Sequence, residues 1–245
     1  MNKVFTSFDE AVADIDDGAT IMVSGAQGPV GVPRNLLLAL HRKGSKNLTL
    51  ITTTGYRGKP AARGYGFPHA EDWVDHSILI DNRQVKKVIC AMAFVPGRDA
   101  FLQKLYEAGE VELEHMGHGA FTARIWAGAA GLGGIYNPVG IGTILEEGQE
   151  KRVIDGKEYL FQTPLTAQFS LIWAYKADKL GNLVYRGTGR QYNPLMAKAG
   201  RVTIAEVGDI VEPGDLDPEC IVTPGIYVHR IVKVPEEKGN EAATG

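Results

Sequence analysis

At 245 residues, 44% hydrophobic and 22% charged, the chain has ordinary globular composition, with length for one large domain or two small ones. A net charge of −3 gives no reason to expect a nucleic-acid or membrane-surface partner, and no apolar run approaches a bilayer span. Cys90 and Cys220 are too few for a disulfide framework and suit a reducing cytoplasm, and MNKVFTSFDEAV lacks the apolar core of a secretion signal.

SFDEAVADI predicts a first helix, with Ser7 as N-cap and Glu10 completing a capping box. Residues 20–24 (TIMVS) read as a buried strand. A helix follows, with Pro33 near its first turn, LLLAL as its apolar face and Gly44 as its stop. NLTLITTT then reads as a second strand. That order, strand–helix–strand, is the unit of a parallel sheet. From Gly55 to Trp73 the chain is too rich in Gly and Pro for a helix or strand interior. VKKVICAMAFV resumes as a strand, RDAFLQKLYEAG as a helix, VELEHM as a short strand and AFTARIWAGAAG as a helix. GGIYNPVGIGT reads as a second glycine-rich turn region. EKRVIDGKEYLFQTPL predicts a hairpin about Asp155-Gly156. The last third repeats the theme with FSLIWAYKAD, NLVYR, a short helix near PLMAKAG, and RVTIAEV. The expected fold is α/β: one open, mainly parallel sheet with helices on both faces. Residues 1–235 are expected to form a single domain, and 236–245 a polar tail.

The stretch SGAQGPVGVPRNLLLAL sits where ligands bind in open α/β sheets, beyond the carboxyl end of a strand. Glycines let the backbone approach a ligand, and the following helix offers free N–H groups to an anion. The spacing of Gly25, Gly28 and Gly31 is not the dinucleotide fingerprint, and no Lys-Ser/Thr pair follows. On pattern alone, a tight turn and a ligand cradle are equally good readings.

DDGATIMVSGAQGPVGVPRNLLLAL resembles the signature of the family I coenzyme A-transferases, α (A) subunit. VELEHMGHGAFTARIWAGAAGLGGIYNPVGIGT, NPLMA, VTIAEV and DIVEPGDLDPECIVTPGIYVHRIV are similar to that family in the same order, so the resemblance runs along nearly the whole chain. It implies the family's α/β fold and its reaction, the movement of CoA from an acyl thioester to a free carboxylate. It also implies a partner, the B (β) subunit, in an A2B2 assembly. In the family a glutamate carried by the B subunit makes the attack on the thioester and passes through an acyl-glutamyl anhydride to a glutamyl-CoA thioester. No nucleophile is therefore expected in this chain. Glu146 and Glu147 read as a solvated turn, and Glu206 as a sheet-edge residue.

By this resemblance Gly25, Ala26, Gln27, Gly28, Pro29, Val30 and Gly31 form the loop placed against coenzyme A. The family's Gly-Gly-Phe is Ser24-Gly25-Ala26 here, which removes an aromatic residue and introduces the polar Gln27. Thr52, Thr53 and Thr54 stand where 3-oxoacid transferases carry asparagines for the substrate carboxylate, and each hydroxyl supplies one donor where an amide supplies two. Thr53, Thr54 and Arg57 are the candidate acyl-side residues. The family's Pro-Gln-Gly is Gly117-His118-Gly119, so His118 is expected in a supporting catalytic role. It either donates a hydrogen bond in place of glutamine or acts as a general base.

Between Gly55 and RQVKKV the chain is about a dozen residues longer than the family pattern, and long irregular loops are often functional. Arg57, Lys59 and Arg63 could meet a distal carboxylate, and Tyr65, Phe67 and Trp73 could wall an acyl group. A surface loop or a contact with the partner subunit is the competing reading. Histidines 69, 76, 115 and 118 fit no compact metal-ligand spacing, so no metal is expected, and the resemblance implies coenzyme A thioester as a substrate with no permanently bound cofactor. The substitutions at Thr53, Thr54 and His118 keep an acyl-CoA hydrolase as an alternative function, and a non-catalytic CoA-binding module as a second.

Overall fold

The computed structural model describes residues 2–25, 31–56, 73–94 and 101–235. The first half alternates α1 (Phe8–Ala11), β1 (Thr20–Val23), α2 (Arg34–Lys43), β2 (Leu48–Thr54), α3 (Ser77–Asp81), β3 (Val85–Met92), α4 (Phe101–Glu107), β4 (Glu112–His115) and α5 (His118–Ala129). Then come β5 (Ile135–Asn137), β6 (Lys151–Ile154) and β7 (Lys157–Gln162). β8 (Ala167–Asp178), β9 (Leu183–Val184), α6 (Asn193–Ala199), β10 (Gly200–Val211) and β11 (Arg230–Lys233) complete the order.

Local chemistry accounts for several boundaries. The Glu10 N–H donates to Ser7 Oγ at 3.1 Å, which caps α1. Pro33 is the N-cap of α2, and Gly44 ends it in the left-handed region at φ 77°. Asp155 and Gly156 both take positive φ, 51° and 76°, as a two-residue hairpin turn requires.

One sheet runs β11-β10-β8-β1-β2-β3-β4, with every neighbouring pair parallel, and β9 joins β8 antiparallel. Strand alternation divides the core. Ile21 and Val23 face the side covered by Leu36, Leu37 and Leu40 of α2, whereas Met22 faces the side covered by Phe121 and Ile125 of α5 and Met196 of α6. Phe121 is wholly buried, which is worth about 1.5–3 kcal/mol for a side chain of that kind.

The open sheet is as the sequence predicts, but it is not alone. The glycine-rich stretch read as a turn contains β5, which pairs with the predicted hairpin to give a second, antiparallel sheet, β5-β7-β6. Helix α5 begins at His118, two residues earlier than its apolar pattern, because Gly117 is extended and serves as the N-cap.

The topology fixes where a ligand can sit. From β1 the chain builds outward through β2, β3 and β4, then returns through the small sheet to β8 on the other flank of β1. The reversal falls between β1 and β8, and their carboxyl ends open the crevice that such sheets use for ligands.

Candidate active site

Parallel strands share one carboxyl edge, and three of the predicted stretches end on it. Gly25 follows β1, Thr53 and Thr54 close β2, and Gly117-His118 follow β4. In the strand order β4 is three places from β1, roughly 14 Å at the usual strand spacing. His118 therefore lines the far end of the edge from the glycine stretch.

Gly25 and Gly31 frame the β1–α2 connection, and both need to be glycine. Gly25 has φ 119°, and an added Cβ would lie 2.6 Å from Val32 Cγ2; Gly31 has φ 85°, and its Cβ would lie 2.7 Å from the Gly189 carbonyl oxygen. Ala26, Gln27, Gly28, Pro29 and Val30, predicted between them, lie outside the described residues, as do Arg57, Lys59, Arg63, Tyr65, Phe67 and His69.

The start of α2 corrects two expectations. Its N–H groups are not all left for an anionic ligand: those of Asn35 and Leu36 donate to Glu206 Oε2 at 2.8 and 3.1 Å. Asn35 Nδ2 adds a bond to Glu206 Oε1 at 2.9 Å. Nor is Glu206 a sheet-edge residue. It lies in β10 between Trp173 of β8 and Val232 of β11, and is 2% exposed. Burial pushes its carboxyl up to about 7, against the pull of the Leu36 and Asn35 donors. The signal was present in VTIAEV: a carboxylate inside an apolar strand needs dedicated donors. Glu146 does lie in a turn, where its carboxylate accepts the Gly142 N–H at 2.7 Å and pairs with Lys151 at 2.9 Å.

Thr52, Thr53 and Thr54 are all buried, and alternation turns Thr53 toward the α5 side and Thr54 toward the α2 side. Among the described residues, Thr54 Oγ1 and Ser24 Oγ have no hydrogen-bond partner. These two buried hydroxyls sit at the carboxyl ends of β1 and β2, and the same alternation puts them on opposite faces of the sheet. Trp73 is buried, and its Nε1 donates to Asp75 Oδ2 at 2.6 Å.

His118 is exposed in the first turn of α5, where its carbonyl accepts from Thr122 Oγ1 at 3.0 Å. Beside it, a cavity of about 350 Å³ is lined by Glu114, Met116, Gly117, Arg124 and Gln162. Burial opposes the charge on Glu114, but Lys87 at 2.7 Å and Arg124 at 2.9 Å outweigh it and hold the carboxyl below its ordinary range. Gln162 Oε1 is buried without a donor among the described residues. Cys90 offers no nucleophile, since burial pushes its thiol up to about 12, and Cys220 is exposed. Among the described residues, no three His, Cys, Asp or Glu side chains gather as a metal site, and no helix is long and apolar enough to cross a membrane.

A profile of the coenzyme A transferase family matches residues 5–234. The A subunit of the 3-oxoadipate CoA-transferase of Acinetobacter baylyi is 40% identical over 243 residues, covering 99% of both chains. The A subunit of the probable succinyl-CoA:3-ketoacid coenzyme A transferase of Bacillus subtilis is 36% identical over 245 residues, all of this chain and 95% of the other. Among solved structures, the acyl-CoA transferase apoenzyme of Escherichia coli O157:H7 matches 97% of this chain with TM-score 0.79 at 24% identity. This chain spans 48% of that longer one, and the likeness concerns the fold.

Proposed function

The chain belongs to the coenzyme A transferase family, and from that premise we propose that it is the α (A) subunit of a heteromeric enzyme moving CoA between an acyl-CoA and a free carboxylic acid. The observation that carries this reading is the 40% identity to such a subunit along its full length. A B subunit supplies the glutamate. Its carboxylate attacks the thioester carbonyl and expels CoA thiolate, leaving an acyl-glutamyl anhydride. The thiolate then attacks the glutamyl carbonyl, and the acyl group leaves as its carboxylate. The complex is A2B2 and cytoplasmic, and residues 1–235 of this chain act as one domain.

In this reading the connection from Gly25 to Gly31, with Ala26, Gln27, Gly28, Pro29 and Val30, lies against coenzyme A. Thr53, Thr54 and Arg57 meet the acyl group. His118, exposed at the carboxyl edge, orients the partner's glutamate. Coenzyme A enters as substrate, with no permanently bound cofactor.

The test uses the complex with its B subunit, incubated with several acyl-CoAs with and without a panel of carboxylic acids. Mass spectrometry should find a new acyl-CoA only when acid is present, without free thiol. Free CoA accumulating without any acid would make the enzyme a hydrolase. Neither relative described above carries a hydrolase name.

A further inference from the structure

We propose that Asn193 and Glu206 are positioning residues for CoA transfer, a buried two-point clamp that fixes where the β1–α2 connection re-enters the fold. The proposal rests on the reading that this connection meets coenzyme A.

Asn193 is wholly buried, and its side chain spends its hydrogen-bonding capacity on three backbones. Its Nδ2 donates to the Gly31 carbonyl at 3.0 Å and to the Gly189 carbonyl at 2.8 Å. Its Oδ1 accepts the Trp173 N–H at 2.8 Å. The last of these has a topological cause. β1 pairs with β8 as far as Val23 with Leu171, and the Ser24 N–H still reaches the Leu171 carbonyl. The chain then turns away at Gly25, so β8 runs on without its neighbour. Asn193 stands in for the missing strand and, with the same side chain, grips the connection where it returns at Gly31.

The second grip lies a few residues on, where Glu206 holds the N–H groups of Asn35 and Leu36. Between the two grips, Val32 closes against Gly25, leaving no room there for a Cβ. Exit and entry of the connection are thus drawn together and tied to β8 and β10. A ligand at its rim meets a surface already ordered, which lowers the entropic cost of binding.

The substitutions separate this role from simple packing. Asn193→Asp keeps the acceptor for Trp173 but puts a carboxylate oxygen against the Gly31 and Gly189 carbonyls. Glu206→Leu removes the second grip. Glu206→Gln keeps an acceptor for both N–H groups, and a flipped Asn35 amide can receive its NH₂. Gly31→Ala disturbs the connection directly. In the complex with the B subunit, Asn193→Asp and Glu206→Leu should raise KM for acyl-CoA about tenfold while kcat and KM for the acid change less than about twofold, the pattern of lost uniform binding. Glu206→Gln should recover most of that loss. If Gly31→Ala raises KM for acyl-CoA and the two clamp variants do not, the clamp is overturned and the loop reading stands. If Gly31→Ala also leaves KM unmoved, the loop reading fails, and the clamp fails with it. Hydrogen exchange of the unaltered complex gives a check that no folding defect can confuse. The Asn35 and Leu36 amides should exchange only by global unfolding, and exchange by local opening would refute a fixed anchor.

Discussion

Glu206 accepts the Leu36 N–H at 3.1 Å from a position that is 2% exposed, so one buried carboxyl joins β10 to the first turn of α2. Burial raises this carboxyl from its ordinary 4.5 to about 7. Below the ordinary value both folded and unfolded chains are protonated there, and the contribution to stability is complete. As pH rises toward 7 the unfolded chain ionises first, and stability is lost, by roughly 3 kcal/mol at most. Glu206→Gln has no such titration. Urea unfolding of both proteins from pH 4.5 to 7.5 should show the difference between them changing in the variant's favour as pH rises. A difference independent of pH would contradict the assignment.

Arg124 bridges β4 and the residue that follows β7: its Nη1 reaches Glu114 at 2.9 Å and its Nε donates to the Thr163 carbonyl at 2.8 Å. Lysine cannot make both bonds from one ammonium. Arg124→Lys should cost about 1–2 kcal/mol, more than an exposed ion pair is worth. Because Glu114 is held below its ordinary range, its share of stability is present above that range and is lost as pH falls through the lowered value. Denaturant titration at pH 7 and in mild acid measures both effects.

His118 is exposed, so replacing it should leave the circular dichroism spectrum and melting temperature of the chain unchanged. Under the proposed function, His118→Ala lowers kcat about tenfold, the worth of one hydrogen bond, and His118→Gln restores most of it. A Gln variant as slow as the Ala variant would assign His118 as a general base instead.

Thr54→Val keeps the shape of the side chain and removes a buried hydroxyl that has no partner among the described residues. Stability should hold or rise by up to about 1 kcal/mol, since an unsatisfied polar group is removed. If the hydroxyl serves the substrate, KM for the carboxylic acid should rise in the same variant. Thermal melting and steady-state kinetics on one protein sample decide both halves.

Much of the frame was legible in the sequence because it is local. Capping at Ser7, the stop at Gly44 and the Asp155-Gly156 turn are properties of adjacent residues, and apolar runs located the strands of the main sheet except the edge strand β11, which is four residues long. The small sheet escaped notice because β5 is three residues long within a glycine-rich stretch, and only pairing with β7 makes it a strand. Asn193 and Glu206 escaped for a different reason. Their partners are at Gly31, Asn35 and Leu36, more than half the chain away, and no spacing rule links them. Gly25, Thr53, Thr54 and His118 were found through family likeness, and the fold then placed them along one carboxyl edge.

The pairing of Ile21 with Phe169 has a consequence for how the chain is made. In the finished protein β1 is the central strand. During synthesis its β8 flank is an open edge until the ribosome has delivered most of the remaining chain, a wait on the order of ten seconds. An unpaired strand as apolar as TIMV is a template for intermolecular pairing over that interval. The strand that anchors the completed sheet is thus open to aggregation while the chain is nascent.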